Sequence, residues 1–118
     1  MKGRAWPKYT GYNAGVGEGA REEVLREASR RVAELLKGRR YRLYLFGSRA
    51  RKEASPRSDY DLALWADPPL DLATLARIRE ALEELPILQR IDLVELSWAP
   101  GLKKTVEEEG ILIAEGEV

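Results

Sequence analysis

Segments whose apolar residues recur at helical spacing alternate along this chain with short runs of aromatic and aliphatic residues that suit β-strands. Helices are predicted at 20–37, 72–85 and 100–109, and strands at 41–46, 60–65, 90–96 and 111–114. This alternation argues against a helical bundle and against a β-sandwich. It predicts a small α/β (α+β) domain, in which a mixed β-sheet is flanked by helices.

Residues with known preferences for helix ends mark the predicted boundaries. Asp71 is a good N-cap, and Leu70 and Leu75 have the spacing of a hydrophobic staple across the first helical turn. Pro86 ends this helix, and Gly38 ends the preceding one. The helix ends therefore fall between the predicted strands, as an alternating fold requires.

The first 19 residues differ from the rest of the chain. They contain five glycines and show no hydrophobic period. Because 118 residues fit one domain, we predict a glycine-rich arm at 1–19 and a single domain at 20–118. The aromatic residues of the arm either pack on the domain or stack on bases, and packing is the commoner role.

The chain contains no Cys and no His, which excludes several kinds of catalysis. Without these residues there is no disulfide, no thiolate zinc site and no Ser–His or Cys–His nucleophile. A bound metal ion has to be held by oxygen atoms, which favours Mg²⁺, Mn²⁺ or Ca²⁺.

The formal net charge is zero, but the two halves of the chain differ in sign. Residues 1–60 carry a net charge of +8, and residues 61–118 a net charge of −8. This asymmetry suits a polyanionic ligand near one half and a basic partner near the other. Two solvated surfaces of opposite sign would give the same counts.

Hydropathy argues against a membrane protein. No apolar stretch reaches the ~18 residues of a membrane span. No hydrophobic run follows the basic N-terminus, as it would in a signal peptide. We therefore expect a cytoplasmic protein without membrane contact.

Two aspartates lie at the start of the second predicted strand. Asp59 and Asp61 are separated by one residue, so on a strand their side chains point to the same face. Carboxylates at this spacing repel each other unless a cation neutralises them, and Mg²⁺ often takes one or two carboxylates together with substrate phosphates. The pair fits a magnesium site, although such pairs also occur as turn formers and solvated caps.

A tight turn follows the first predicted strand. Gly47 and Ser48 form this turn, which exposes backbone N–H groups able to bind a phosphate. The glycine allows close approach of the phosphate, and the serine hydroxyl adds a donor. Arg49 and Arg51 follow, and the planar guanidinium group suits phosphate. A Gly-Ser pair is also a common turn, so this segment is weak evidence by itself.

A third carboxylate, Asp92, lies within the third predicted strand. Because aspartate is disfavoured in strands, it is either on an exposed edge or kept for function. A phosphate-binding turn, a pair of carboxylates and a third carboxylate together suit a two-metal site. Such a site stabilises the attacking and leaving oxygens of an in-line displacement. The combination is more specific than any of its parts.

Ten residues separate Ser48 from Asp59, and this spacing of a Gly-Ser pair from an Asp-x-Asp pair resembles the polymerase-β-like nucleotidyltransferase superfamily. The closest resemblance is to its minimal nucleotidyltransferase (MNT) branch, over roughly residues 20–114. It implies that the triphosphate is bound by Gly47, Ser48, Arg49 and Arg51. It implies a two-metal site, for Mg²⁺ or Mn²⁺, held by Asp59, Asp61 and Asp92. In the family the third carboxylate also helps to deprotonate the attacking hydroxyl.

Proteins of this branch are often encoded beside a HEPN-domain protein, in pairs that resemble toxin–antitoxin systems. In such pairs AMP is transferred to a tyrosine of the HEPN ribonuclease. The resemblance therefore implies transfer of NMP, by preference AMP from ATP, to a hydroxyl of a HEPN partner, with release of pyrophosphate. It implies ATP or another NTP as ligand and an assembly with the HEPN partner, and no direct binding of nucleic acid.

Two other functions remain open. The chain could neutralise a HEPN partner by contact alone, as a non-catalytic antitoxin. It could also transfer a nucleotide to a small molecule such as an antibiotic, although the larger relatives that do so carry a further helical domain for the acceptor.

Overall fold

The computed structural model of the chain describes residues 16–50 and 58–117. Within these ranges the helices are α1 (Val16–Leu35), α2 (Leu72–Glu83) and α3 (Pro100–Glu109). The strands are β1 (Arg40–Phe46), β2 (Tyr60–Asp67), β3 (Ile91–Glu95) and β4 (Ile111–Gly116). Short 3-10 turns, Gly47–Arg49 and Leu96–Trp98, follow β1 and β3. The predicted fold class and the predicted order of elements are confirmed.

Helix α1 begins earlier than the glycine pattern predicted. It starts at Val16, so Gly17 and Gly19 lie inside it although glycine is a weak helix former. Leu25 and Val32, further along the helix, are fully buried and fix it to the sheet. The preceding residues lie outside the described ranges, so the predicted boundary between arm and domain stays a prediction. No helix in the described ranges is long and apolar enough to cross a membrane.

Helix α2 begins at Leu72, directly after the predicted N-cap residue Asp71. Asp71 has an extended backbone, and its Oδ1 accepts a hydrogen bond from the backbone N–H of Thr74 at 2.9 Å. This bond satisfies one of the amide groups that a helix leaves free at its start. The helix turns its apolar positions, Leu75, Ile78 and Leu82, into the core.

The four strands form one mixed sheet in the order β3-β2-β1-β4. Strand β1 pairs antiparallel with β2 and β4, whereas β2 pairs parallel with β3, and α2 connects these two. Phe46 lies opposite Asp61 in the first pair, and Asp61 lies opposite Asp92 in the parallel pair. The end of β1 and the starts of β2 and β3 therefore meet at one end of the sheet.

The two faces of the sheet are covered by different helices. Helices α1 and α2 contribute to the larger apolar cluster, with side chains such as Leu25, Leu62 and Ile78. Helix α3 covers the other face with a smaller cluster, whose buried members are Tyr44, Ala63, Leu96 and Val106. We call these the α1–α2 face and the α3 face.

Candidate active site

The predicted site residues come together at the end of the sheet where β1 stops and β2 and β3 start. Gly47 follows β1 directly, Asp59 precedes β2, and Asp61 and Asp92 lie opposite each other on β2 and β3. Adjacent strands are about 4.8 Å apart, so the two paired aspartates are immediate neighbours. We call Asp59, Asp61 and Asp92 the carboxylate row.

Alternation along the strands decides which face carries the row. Leu62 and Leu93 belong to the α1–α2 cluster, so the residues before them, Asp61 and Asp92, point to the opposite side. Asp61 and Asp92 therefore lie on the α3 face. Helix α3 is short, with ten residues. The paired side chains are half-buried, and Asp59 is exposed, so a ligand can reach them.

Gly47 is in direct contact with the carboxylate row. Its backbone has φ +78°, a conformation that side chains disfavour. A Cβ atom at this position would overlap Oδ2 of Asp61. The glycine is therefore needed for its backbone conformation and for the space that the carboxylate occupies. The turn after β1 and the aspartates of β2 thus form one continuous surface.

Two of the predicted nucleotide-binding residues have no described side chain. Ser48 lies in the 3-10 turn Gly47–Arg49, so its backbone is next to the row. Arg51 lies outside the described residues. The triphosphate-binding roles of both residues stay predictions.

Arg49 makes contacts that the sequence did not indicate. Its Nε and Nη2 donate hydrogen bonds to the backbone carbonyl of Ser58 at 3.1 and 2.8 Å. Its guanidinium lies 3.9 Å from the centre of the Tyr60 ring, and the residue is only 7% exposed. Arg49 therefore ties the turn after β1 to the segment that carries Asp59. Its predicted contact with the nucleotide stays a prediction beside this structural role.

Arg90 is a neighbour of the row that sequence reasoning missed. Its backbone N–H donates to Oδ1 of Asp59 at 3.4 Å, and its Nε lies 3.7 Å from Oδ1 of Asp92. The side chain of Arg90 is 72% exposed, so this pairing is a weak one. Side chains two residues apart on a strand point to the same face. The spacing of Arg90 from Asp92 could therefore have predicted this contact from the sequence.

The donor set of the row suits an oxygen-preferring metal ion such as Mg²⁺. Its three carboxylates lie at one end of the sheet, where Asp61 and Asp92 share the α3 face. However, no group of three or more acidic, His or Cys side chains in the described ranges is close enough to hold a metal ion as it stands. Like charges repel, which favours separated carboxylates. Asp61 and Asp92 are neighbours across the paired strands, and metal binding itself stays a prediction.

Comparison with known proteins shows a family for this chain. Residues 37–117 match the family described as polymerase beta, nucleotidyltransferase. A Haemophilus influenzae protein described as a probable protein adenylyltransferase, MntA, is 41% identical over 59 residues. That alignment covers 50% of this chain and 50% of the relative, so this chain spans about half the length of the relative it matches.

Two solved structures are similar in fold. A toxin–antitoxin complex with AMP-PNP contains a chain that matches with a TM-score of 0.56 and 27% identity, over 72% of this chain and 71% of the other. A candidate nucleotidyltransferase from Sulfolobus solfataricus matches with a TM-score of 0.53 and 19% identity, over 85% and 87% of the two chains. The second likeness concerns the fold alone.

Proposed function

The chain belongs to the polymerase β nucleotidyltransferase family, and on that basis we propose that it transfers NMP from an NTP to a hydroxyl of a partner protein. AMP from ATP is the favoured donor, since one relative is described as a protein adenylyltransferase and a similar complex was crystallised with AMP-PNP. One observation carries the proposal: the turn at Gly47 abuts Asp61, which in turn lies opposite Asp92.

The proposed reaction is an in-line displacement at the α-phosphorus. The acceptor oxygen forms a new bond to this phosphorus, the bond to the oxygen bridging to the β-phosphate breaks, and pyrophosphate leaves. Asp92 takes the hydroxyl proton and later releases it to solvent. Backbone N–H groups of the turn Gly47–Arg49 bind the triphosphate and keep its outer phosphates beside β1.

The carboxylate row is the proposed site for two Mg²⁺ ions, which Mn²⁺ can replace. When bound there, the ions would neutralise phosphate charge and stabilise the attacking and leaving oxygens. The row fits this task because its donors are oxygen atoms at one end of the sheet. The weak contact between Arg90 and Asp92 would have to give way.

We propose a HEPN-domain toxin as the partner that supplies the hydroxyl. The likeness to a toxin–antitoxin structure supports a toxin as partner, and the sequence resemblance to MNT proteins supports the HEPN domain. The described residues form one small domain with the row at its sheet end. Such a domain suits an acceptor presented by a second molecule.

A second candidate function is neutralisation of the partner by contact, without transfer. It is favoured by the net charge of −8 on residues 61–118, which suits contact with a basic partner. The two functions differ in whether the partner leaves the reaction chemically changed.

Intact-mass spectrometry of the partner separates them. The chain is incubated with a HEPN protein, the proposed partner, together with ATP and Mg²⁺. We expect the partner to gain the mass of one or more AMP groups, and a partner silenced without a mass change would refute transfer and favour contact.

Variants of the row connect this activity to its residues. Asp59→Asn and Asp61→Asn keep the size of each side chain and remove the charge that would hold a metal ion. We expect each variant to fold and to lose transfer by at least about 100-fold. Asp67→Asn, at the far end of β2, is the matched control and should retain activity. Full activity in both row variants would refute the site.

A further inference from the structure

The end of the sheet opposite the carboxylate row carries a group of exposed apolar side chains. Strand β1 starts at this end, and β2 and β3 stop at it. Trp98, in the turn after β3, is 59% exposed, and Leu72, at the start of α2, is 65% exposed. Pro68 and Pro69, between β2 and α2, are exposed as well. We call Trp98, Leu72, Pro68 and Pro69 the far-end patch.

A single buried carboxylate holds the two loops of the far-end patch together. Glu95, at the end of β3, is only 2% exposed. Its Oε2 accepts a hydrogen bond from the backbone N–H of Leu70 at 3.1 Å, and its Oε1 accepts one from the N–H of Ser97. Leu70 lies two residues before Leu72, and Ser97 directly precedes Trp98. The exposed side chains of the two loops are therefore neighbours on a fixed backbone.

The folding of the domain does not account for the two largest side chains of this patch. Within the described ranges, Trp98 and Leu72 belong to neither apolar cluster of the domain. Large apolar side chains exposed on neighbouring loops mark an interaction surface, and tryptophan is enriched among the residues that contribute most to binding. Because the loops are already held in place, association orders little additional backbone. The far-end patch therefore has the character of a protein–protein interface.

Charged residues of both signs surround the patch. Nη2 of Arg39 donates a hydrogen bond to the carbonyl oxygen of Pro68 at 3.1 Å. Nη1 of Arg40 lies 3.6 Å from Oδ2 of Asp67, and Asp71 caps α2 on the same side. The side chains of Arg40 and Asp67 are both more than half exposed, so their pairing is weak and can be replaced by pairing with another molecule.

We propose that the far-end patch binds a second copy of this chain, in a dimer with a two-fold axis. In such a dimer each contact occurs twice, so the arginines of one copy can face the aspartates of the other in both directions. A strongly basic or strongly acidic partner would be repelled by one half of this rim. The mixture of signs therefore favours a second copy over a partner of a single sign.

The proposed dimer leaves both candidate active sites open. Asp61 and Asp67 are six residues apart on β2, which corresponds to about 20 Å along a strand. The carboxylate row thus lies at the end of the sheet away from the interface, and each copy presents it to solvent. Dimer formation neither requires nucleotide transfer nor blocks the approach of an acceptor.

Sedimentation equilibrium of the full chain, without nucleotide or partner, tests the interface. We expect the wild type to form a dimer and Trp98→Glu to raise the Kd of this dimer at least about 30-fold, because a charge replaces an apolar side chain in the contact. Leu88→Glu is the matched control, because Leu88 is 101% exposed at the other end of the sheet, and it should leave the Kd unchanged. A wild type that stays monomeric at every concentration, or equal shifts in the two variants, would overturn the proposal.

Charge reversal tests the rim without changing Trp98. Arg40→Glu makes the rim mainly acidic, and Asp67→Arg makes it mainly basic. A fluorescently labelled copy of one variant is titrated with the other. We expect each variant alone to dimerise more weakly than the wild type, and the mixture to form a heterodimer. A mixture that associates no more tightly than its components would contradict the proposed dimer. So would a monomeric wild type that loses binding of a HEPN protein on Trp98→Glu, since the patch would then belong to that partner.

Discussion

Gly47 joins the two parts of the site that the sequence presents separately. Its positive φ allows the tight turn after β1, and its missing side chain leaves room for the carboxylate of Asp61. The sequence indicated a glycine because a phosphate must approach the backbone closely. The register of β1 and β2 adds the second reason, since it puts the turn beside Asp61.

Replacing Gly47 by alanine tests both requirements. The positive φ alone disfavours alanine by about 1–2 kcal/mol, and the overlap with Asp61 adds to this and displaces the carboxylate. We expect Gly47→Ala to lower the urea midpoint and to weaken binding of ATP with Mg²⁺ in calorimetry. Gly38→Ala is the control, because Gly38 has φ +81° and nothing within 4 Å of its added Cβ. Equal losses in the two variants would exclude an effect of the overlap.

At the residue scale, the spacing of residue types along the chain predicted which residues belong to the candidate site, but not which contacts they make. The motif identified Gly47 and the three aspartates because their types and intervals are visible in the chain. The positions of Arg49 and Arg90 were visible too. Their partners were not, because the carbonyl of Ser58 and the carboxylate of Asp92 come near only after the strands pair. Contacts that depend on strand register cannot be read from intervals along the chain.

Among the elements, α2 and α3 were predicted best, because residues with known preferences for helix ends mark their boundaries. Helix α2 has the predicted N-cap at Asp71, and Leu75 of the predicted hydrophobic staple is buried. Helix α1 was predicted to start at residue 20 but starts at Val16. Gly17 and Gly19 have low helix propensity, and no local pattern indicates that the helix includes them. Packing further along α1 outweighs this local preference.

Arg49 connects two elements, and its replacement tests that connection. Arg49→Lys keeps the charge but loses the planar group that stacks on Tyr60 and donates two hydrogen bonds to Ser58. We expect a loss of about 1–3 kcal/mol in the free energy of unfolding, measured in urea. Arg42→Lys is the control, since Arg42 is half-exposed and 5.7 Å from the ring of Trp65. If the two variants were equally stable, Arg49 would not hold the turn to β2.

The N-cap of α2 should make part of the stability depend on pH. Hydrogen bonds from the hydroxyl and the backbone N–H of Thr74 lower the pKa of Asp71 below its ordinary value. A lowered pKa in the folded state stabilises the fold above the ordinary pKa, and this contribution is lost as pH falls through the lowered value. We expect the melting temperature of the wild type to fall relative to Asp71→Asn, which cannot titrate, as the solution is acidified. Parallel curves would show that Asp71 contributes no pH dependence.

For the whole molecule, the alternation of helical and strand-like apolar patterns along the chain predicted the fold class but not the order of the strands in the sheet. Apolar patterns show which face of a strand is buried, but the choice of neighbouring strands depends on how α2 returns the chain to the sheet. That return makes β3 parallel to β2 and brings Asp92 beside Asp61. The resemblance to known proteins predicted this meeting of residues, which periodicity alone could not.

The uneven distribution of charge is a property of the whole chain, and it leads to a prediction about the assembly. Residues 61–118, which include β3, carry a net charge of −8 and suit a basic partner. Raising salt from about 0.1 M to about 1 M shortens the screening length from about 10 Å to about 3 Å. We expect Kd for the HEPN partner to rise over this range, mainly through slower association, because charge steers the encounter. Surface-based kinetics can measure both rates, with sucrose as an uncharged control. If association is equally fast at both salt concentrations, the charge of this half has no part in recognising the partner.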